Sequence, residues 1–324
     1  MALKVTTATI RQLFGIESDE ELEVGTVAPT FGVCHIPSYV FPKALMRDIL
    51  TFWRLEKRAA MLTGHKGSGK TSIVEQLHNR MNLNLEVVTG HGKMQFEALF
   101  GQYLPTEDGS LRWQDGPVTR AARMGHSVLI NEINAIPSDL LISLMDVAHE
   151  GGVLTLPEAG EQFMPVQGFR IFGTMNPKGV NDFIYQGRKE MDGAFKERWM
   201  WISVPYVARQ DEEKILMNVW TSQVEDDPAE LKIFVGQMLD VAGDVRALAN
   251  STGRDAIPEI ISTRVLCNWA TYWIQYTDFA DSAHKGLERA LTNGCSPIVR
   301  YTLHKLVSDH TGQPSPYSLN SIVQ

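Results

Sequence analysis

Residues 59–81 read AAMLTGHKGSGKTSIVEQLHNRM, and the reading of this stretch decides the fold. AAMLT (59–63) is short and almost wholly apolar, which suits a strand covered on both faces. SIVEQLHNRM (72–81) places Ile73, Val74, Leu77 and Met81 on one helical face. Between them, GHKGSGKT (64–71) matches the phosphate-binding pattern G-x-x-x-x-G-K-[ST]. Glycines there let backbone N–H groups close around phosphate oxygens, the lysine reaches the outer phosphates, and the hydroxyl can ligate Mg2+. The candidate binding residues are therefore Gly64, His65, Lys66, Gly67, Ser68, Gly69, Lys70, Thr71 and Ser72, with Thr71 also a metal ligand. The alternative is a glycine-rich strand–helix turn. Average residue usage produces the pattern by chance in roughly one chain in a hundred of this length, and the flanking strand and helix lower that further.

Outward from this stretch, similar apolar runs recur at LEVVT (85–89), SVLIN (127–131), FRIFGT (169–174) and WMWISV (199–204). Amphipathic helices alternate with them, the pattern of βαβ units and a parallel sheet. PSDLLISLMDVAHEGG (137–152) is expected to be a helix capped by Ser138, striped by Leu140, Leu141, Leu144, Met145 and Ala148, and stopped by glycine. VLTLPEAGEQFMPV (153–166) reads as a hairpin. The expected organisation is an N-terminal extension (1–40), an α/β domain with a parallel sheet flanked by helices (41–207), a smaller helical domain (208–312) and a tail (313–324).

SVLINEIN (127–134) then gains a context. In nucleotide-hydrolysing enzymes with a phosphate loop, a nearby apolar strand ends in an acid that holds Mg2+, and a second acid often orients the attacking water. Glu132 can supply the second function; Asn131 occupies the first, offering one carbonyl oxygen and no charge. FRIFGTMNP (169–177) ends a strand at Thr174 and Asn176, where a polar side chain could reach phosphate or water, although Asn before Pro177 is also an ordinary turn. Arg198 precedes the last apolar run. It is either a solvated charge or a planar donor suited to phosphoryl charge on a neighbouring subunit.

The totals bound the rest. The chain has 324 residues, 44% of them hydrophobic and 21% charged, as in ordinary globular proteins. A net charge of −8 and the lack of a Lys/Arg-rich stripe argue against a nucleic-acid partner. Cys34, Cys267 and Cys295 are scattered and odd in number, fitting a reducing compartment and small buried side chains. No run approaches the length of a membrane helix, and the N-terminus lacks a signal-peptide core, so cytoplasm is the expected compartment. His91, His126 and His149 are too irregularly spaced for a zinc site, and no protein-held metal is expected beyond nucleotide-bound Mg2+.

In this order the elements resemble the AAA+ ATPases, and within them the MoxR-type group. LRWQDGPVTRAARMGHSVLINEINAIPSDLLISLMDVAHEG (111–151) followed by FRIFGTMNP is similar to the group's W-x-D-G-P-like insert, D-E-I-N strand end, helix, hairpin and T-x-N-P sensor strand. FGIESDEELEV (14–24), GHKGSGKTSIVEQLHNRMN (64–82) and IYQGRKEMDGAFKERW (184–199) are similar to the cobaltochelatase ATPase subunit, a relative within the group. The resemblance spans roughly residues 12 to 275. It implies a phosphate-loop AAA+ sheet with a helical lid, and ATP with Mg2+ as cofactors; no local signature separates ATP from GTP. Gly64, Gly69, Lys70 and Thr71 would bind phosphates and metal, with Asn131 at the metal position. Glu132 would be the catalytic acid, Asn176 the first sensor, and Arg198 the finger acting across a subunit interface. Arg264, in Ser262-Thr263-Arg264, resembles the second sensor; otherwise it is an exposed helix charge. The insert near Trp113 and the 153–166 hairpin would face a partner or central channel, with a core anchor the alternative for Trp113.

Three departures stand out: Asn131 for aspartate, Glu197 before the finger, and Thr263 for proline. The first bears on hydrolysis rate and leaves nucleotide binding, which rests on the phosphate loop. The implied assembly is a homo-oligomeric ring, hexameric in this group, that remodels a partner carrying a von Willebrand factor A domain. A nucleotide-gated scaffold with little turnover and an ATPase subunit of a cobaltochelatase-like enzyme are the other readings.

Overall fold

The computed structural model describes residues 5–26, 35–55, 57–176, 192–225, 227–249 and 257–318. Cys34, Pro177 and the first half of the 184–199 segment singled out above (184–191) lie outside these residues. The N-terminal stretch forms β1 (Val5–Thr9), α1 (Ile10–Phe14) and β2 (Glu21–Gly25), with β1 antiparallel to β2. Thr9 starts α1 with reciprocal bonds to Gln12.

Next come α2 (Lys43–Arg54), β3 (Ala59–Thr63), α3 (Lys70–Arg80), β4 (Leu85–Thr89), α4 (Phe96–Leu99), β5 (Gly101–Pro105), β6 (Leu111–Asp115), α5 (Pro117–Met124), β7 (Ser127–Asn131), α6 (Ser138–Ala148), β8 (Leu154–Leu156), β9 (Glu161–Phe163), β10 (Arg170–Met175), α7 (Gly193–Glu197) and β11 (Met200–Ser203). Five of the strands make one parallel sheet in the order β11-β3-β10-β7-β4. Ala60, Met61, Leu62, Val128, Leu129, Ile130, Ile171 and Phe172 are fully buried, which is why these strands read as unbroken apolar runs. The fold is therefore α/β, as the sequence predicts.

The differences are local. Ser138 does not cap α6: Pro137 holds the cap position without a side-chain bond, and Ser138 is the first helical residue. The helix ends at His149 instead of at a glycine, where the Arg58 guanidinium donates to the His149 and Gly152 carbonyls at 2.8 and 2.9 Å. β10 starts and ends one residue later than expected, and β11 is shorter at both ends.

β5 and β6 form an unexpected hairpin beside the expected one of β8 and β9. Arg123 on α5 joins the two. Its Nε lies 2.9 Å from Asp115 on β6, and its two terminal nitrogens donate to Glu161 on β9 at 2.9 and 2.6 Å. The guanidinium also sits 4.4 Å from the Phe163 ring centroid. Trp113 packs partly buried against the α/β core and bonds Asp115 through its indole N–H.

Residues from Tyr206 onward belong to a second compact unit: α8 (Arg209–Thr221), α9 (Pro228–Ala249), α10 (Thr263–Ile274), α11 (Ser282–Ala290) and α12 (Pro297–Thr311). Trp220, Trp269 and Trp273 form its aromatic centre, with Phe234 stacked on Trp220. Glu212 on α8 is 1% exposed and takes a two-pronged bond from Arg246 at 2.8 and 2.9 Å and one from the Thr263 hydroxyl at 2.6 Å. Burial pushes the Cys267 and Cys295 thiols up to about 11, in keeping with unreactive side chains. Among the described residues no helix is long and apolar enough to cross a membrane.

Three histidines are buried in neutral form. His284 and His304 face each other with Nδ1 atoms 2.7 Å apart, and burial pushes His304 down to about 3. In the α/β unit, His78 donates to the Val74 carbonyl and is pushed down to about 4, again chiefly by burial. The unfolded chain takes up these protons near pH 6.5 and the folded chain does not. Stability is thus unaffected above pH 6.5 and falls as pH drops from 6.5 towards 4, by about 1.4 kcal/mol per pH unit for His78 and for His304. Denaturant midpoints at pH 7.5 and 5 measure this. His304→Gln is expected to flatten the slope of the helical unit, and an unchanged slope would contradict the assignment.

Candidate nucleotide site

Parallel strands bring their carboxyl ends to one edge, where α/β proteins place their ligands. β10 lies between β3 and β7, with Met175 level with Thr63 and Gly173 level with Ile130. The register thus delivers the loop after β3, the Asn131–Glu132 pair after β7, and Thr174 and Asn176 on β10 to the same place.

The loop after β3 has the form of a phosphate cradle. Gly67 and Gly69 hold left-handed backbone at φ +78° and +91°, which L side chains rarely adopt. Ser68 is buried, and its hydroxyl has no partner among the described residues. Lys70, 8% exposed, donates from Nζ to the Gly64 and His65 carbonyls and to Asn176 Oδ1, each at 2.8 Å. An ammonium held at the mouth of a glycine loop, beside a hydroxyl lacking a partner, fits a polyphosphate.

The residues expected at a metal, Thr71 and Asn131, are neutral groups. Thr71 Oγ1 donates to Asn131 Oδ1 at 2.6 Å, and Thr174 Oγ1 donates to the same oxygen at 3.1 Å. A hydroxyl and an amide are oxygen donors, the type Mg2+ takes, but they carry none of the carboxylate charge that usually helps to hold it. Glu132 supplies the carboxylate. Its backbone is left-handed at φ 53°, a conformation costing a non-glycine residue of order 1 kcal/mol and found where a site dictates it. Its N–H is held by Thr174 Oγ1 at 3.3 Å, and its Oε1 accepts from Asn176 Nδ2 at 3.1 Å. Asn176, 5% exposed, thus links the lysine to the carboxylate.

Lys70, Thr71, Asn131, Glu132 and Asn176 are therefore gathered into one hydrogen-bonded group. Arg198 is not among them. It precedes β11, whose Met200 pairs with Ala60, so it lies at the amino end of β3 while the phosphate loop leaves the other end. Its side chain donates to the Ala194 carbonyl at 2.6 Å and lines a cleft of about 770 Å³ with Arg58, His149, Glu150 and Trp199. Arg264 is exposed in the first turn of α10, in the helical unit. Thr174 was legible only as a polar strand end; no local pattern marks its two bonds.

Residues 59–199 match the family model described as an AAA domain of the dynein-related subfamily, and residues 226–310 match the CbbQ/NirQ/NorQ C-terminal model. The chain belongs to the MoxR-type AAA+ ATPases. Among relatives of this AAA+ chain, the denitrification regulatory protein NirQ of Stutzerimonas stutzeri is 29% identical over 55% of this chain and 62% of its own. The aerobic cobaltochelatase subunit CobS of a Sinorhizobium species is 25% identical over 82% and 80%. Midasin of Dictyostelium discoideum is 32% identical over 49% of this chain, which spans only 3% of midasin's length.

Proposed function

We propose that this AAA+ chain binds ATP with Mg2+ at the loop after β3 and hydrolyses it at the interfaces of a homo-oligomeric ring, six-membered by analogy with its group, to remodel or activate a partner protein. The observation that carries the reading is the convergence of Lys70, Thr71, Asn131, Glu132 and Asn176 at one sheet edge. Lys70 and the Gly67–Gly69 amides would hold phosphates, while Thr71 and Asn131 would face the metal, which when bound offsets phosphoryl charge. Glu132 would orient and deprotonate the attacking water, and Asn176 would sense the outer phosphate. Arg198 would come from the neighbouring subunit and Arg264 from the helical unit. Similarity to a regulatory protein and to a chelatase subunit supports work on a partner, for which we propose a von Willebrand factor A-domain protein. A cytoplasmic location fits this role.

Asn131 favours a second reading, a nucleotide-gated scaffold with little turnover, because an uncharged ligand offsets none of the metal's charge. Phosphate release decides between them, with nucleotide binding and oligomer size recorded in parallel. Turnover in the natural chain that drops at least about a hundredfold in Glu132→Gln, with ATP still bound, supports the motor. Binding without turnover, restored by Asn131→Asp, supports the scaffold. Failure of the natural chain to bind ATP would sink both.

A further inference from the structure

The amide of Asn131 can stand where a carboxylate would only if its oxygen, and not its NH2, faces Thr71. A carboxylate accepts from either oxygen; an amide turned over presents donors instead. Hydrogen-bond accounting in the site shows what decides the turn. The Glu132 backbone N–H can only donate, so Thr174 Oγ1 accepts from it at 3.3 Å. The single Thr174 hydroxyl hydrogen must then go elsewhere. Among the described residues its acceptor is Asn131 Oδ1, at 3.1 Å. Thr174 is 3% exposed, so bulk water does not compete for that hydrogen. With Oδ1 so placed, the Thr71 hydroxyl also donates to it, at 2.6 Å, and the Thr71 lone pairs are left for a cation. The hydrogens thus run in one sense, from Glu132 N–H through the Thr174 hydroxyl to Asn131 Oδ1, where the Thr71 hydroxyl ends as well.

We infer that Thr174 is a positioning residue that fixes the rotamer of the Asn131 amide, and through it the ability of Thr71 to accept a divalent cation. The inference rests on the nucleotide–metal reading above. It explains how the site tolerates asparagine: the buried hydroxyl supplies the direction that an amide, unlike a carboxylate, needs from outside. Without that hydroxyl the amide is free to turn, Thr71 becomes an acceptor from Asn131 Nδ2, and its hydrogen points at the cation.

A double-mutant cycle separates this from a packing role. Binding of a non-hydrolysable ATP analogue is titrated against Mg2+ in the natural chain, Thr174→Val, Asn131→Asp and the double variant. In the natural background Thr174→Val is expected to raise the half-maximal Mg2+ concentration about tenfold, the scale of one buried hydrogen bond. In the Asn131→Asp background the same change is expected to move it by less than about threefold, because a carboxylate has no wrong face. Thr174→Ser keeps the hydroxyl and should respond like the natural chain, which covers the case in which valine disturbs folding. Equal shifts in both backgrounds, or a serine variant that behaves as valine does, overturn the inference while leaving the nucleotide site standing. No analogue binding by any of the chains, the natural one included, overturns both.

Discussion

Arg198→Ala is expected to cut phosphate release by about a thousandfold or more, the scale of an arginine acting on phosphoryl charge, while nucleotide binding stays near that of the natural chain. The reason is distance. Arg198 stands at the amino end of β3 and the phosphate loop at its carboxyl end. A strand of this length spans about 13 Å at roughly 3.3 Å per residue, further than an arginine side chain reaches. As the proposed finger, Arg198 would therefore serve a neighbour's site and not its own. Mixing provides the decisive measurement. Arg198→Ala keeps an intact phosphate loop and Glu132→Gln keeps an intact arginine, so two inactive proteins combined should regain turnover at the interfaces where the intact halves meet. If mixing restores nothing while mixed oligomers form, Arg198 does not act in trans.

Glu212→Gln is expected to destabilise the helical unit by about 3–5 kcal/mol, the cost of leaving a buried charge without its partner. Arg246 has few alternatives, since its side chain is 17% exposed and its Nε already donates to the Ile261 carbonyl at 2.9 Å. The loss should appear in the denaturant midpoint of that unit and not in that of the α/β unit. Glu212 also accepts from Thr263 at the first turn of α10. Amide exchange should therefore quicken first around residues 261–266, which include Arg264. A loss below about 1 kcal/mol would mean that the pair is as weak as a surface ion pair. Thr263, a departure from its group's proline, thus supplies a hydroxyl that proline lacks.

These two predictions mark what a sequence can and cannot disclose. The central strands β3, β7 and β10 were legible because burial on both faces demands unbroken apolar runs, and the partly exposed edge strands β4 and β11 by their short, mostly apolar sequences. The phosphate loop was legible because its backbone demands glycine at fixed spacing. β5 and β6 were not, since GQYLP and LRWQD are short and half exposed; only the EDGS turn between them gave a signal. Glu212 sits in RQDEEK, which reads as a solvated helix start, and its burial depends on Arg246, 34 residues away. Thr174 shows the same limit inside the site. Its type and place were visible, but the direction of its hydrogen follows from a backbone N–H on another strand's end.

The Arg123 bracket has a mechanical meaning. A hairpin alone is a compliant spring, because a two-stranded ribbon is barely stable by itself. The β5–β6 and β8–β9 ribbons share one guanidinium, held by three short bonds to Asp115 and Glu161. The two ribbons are thereby tied to each other and to α5 through one side chain.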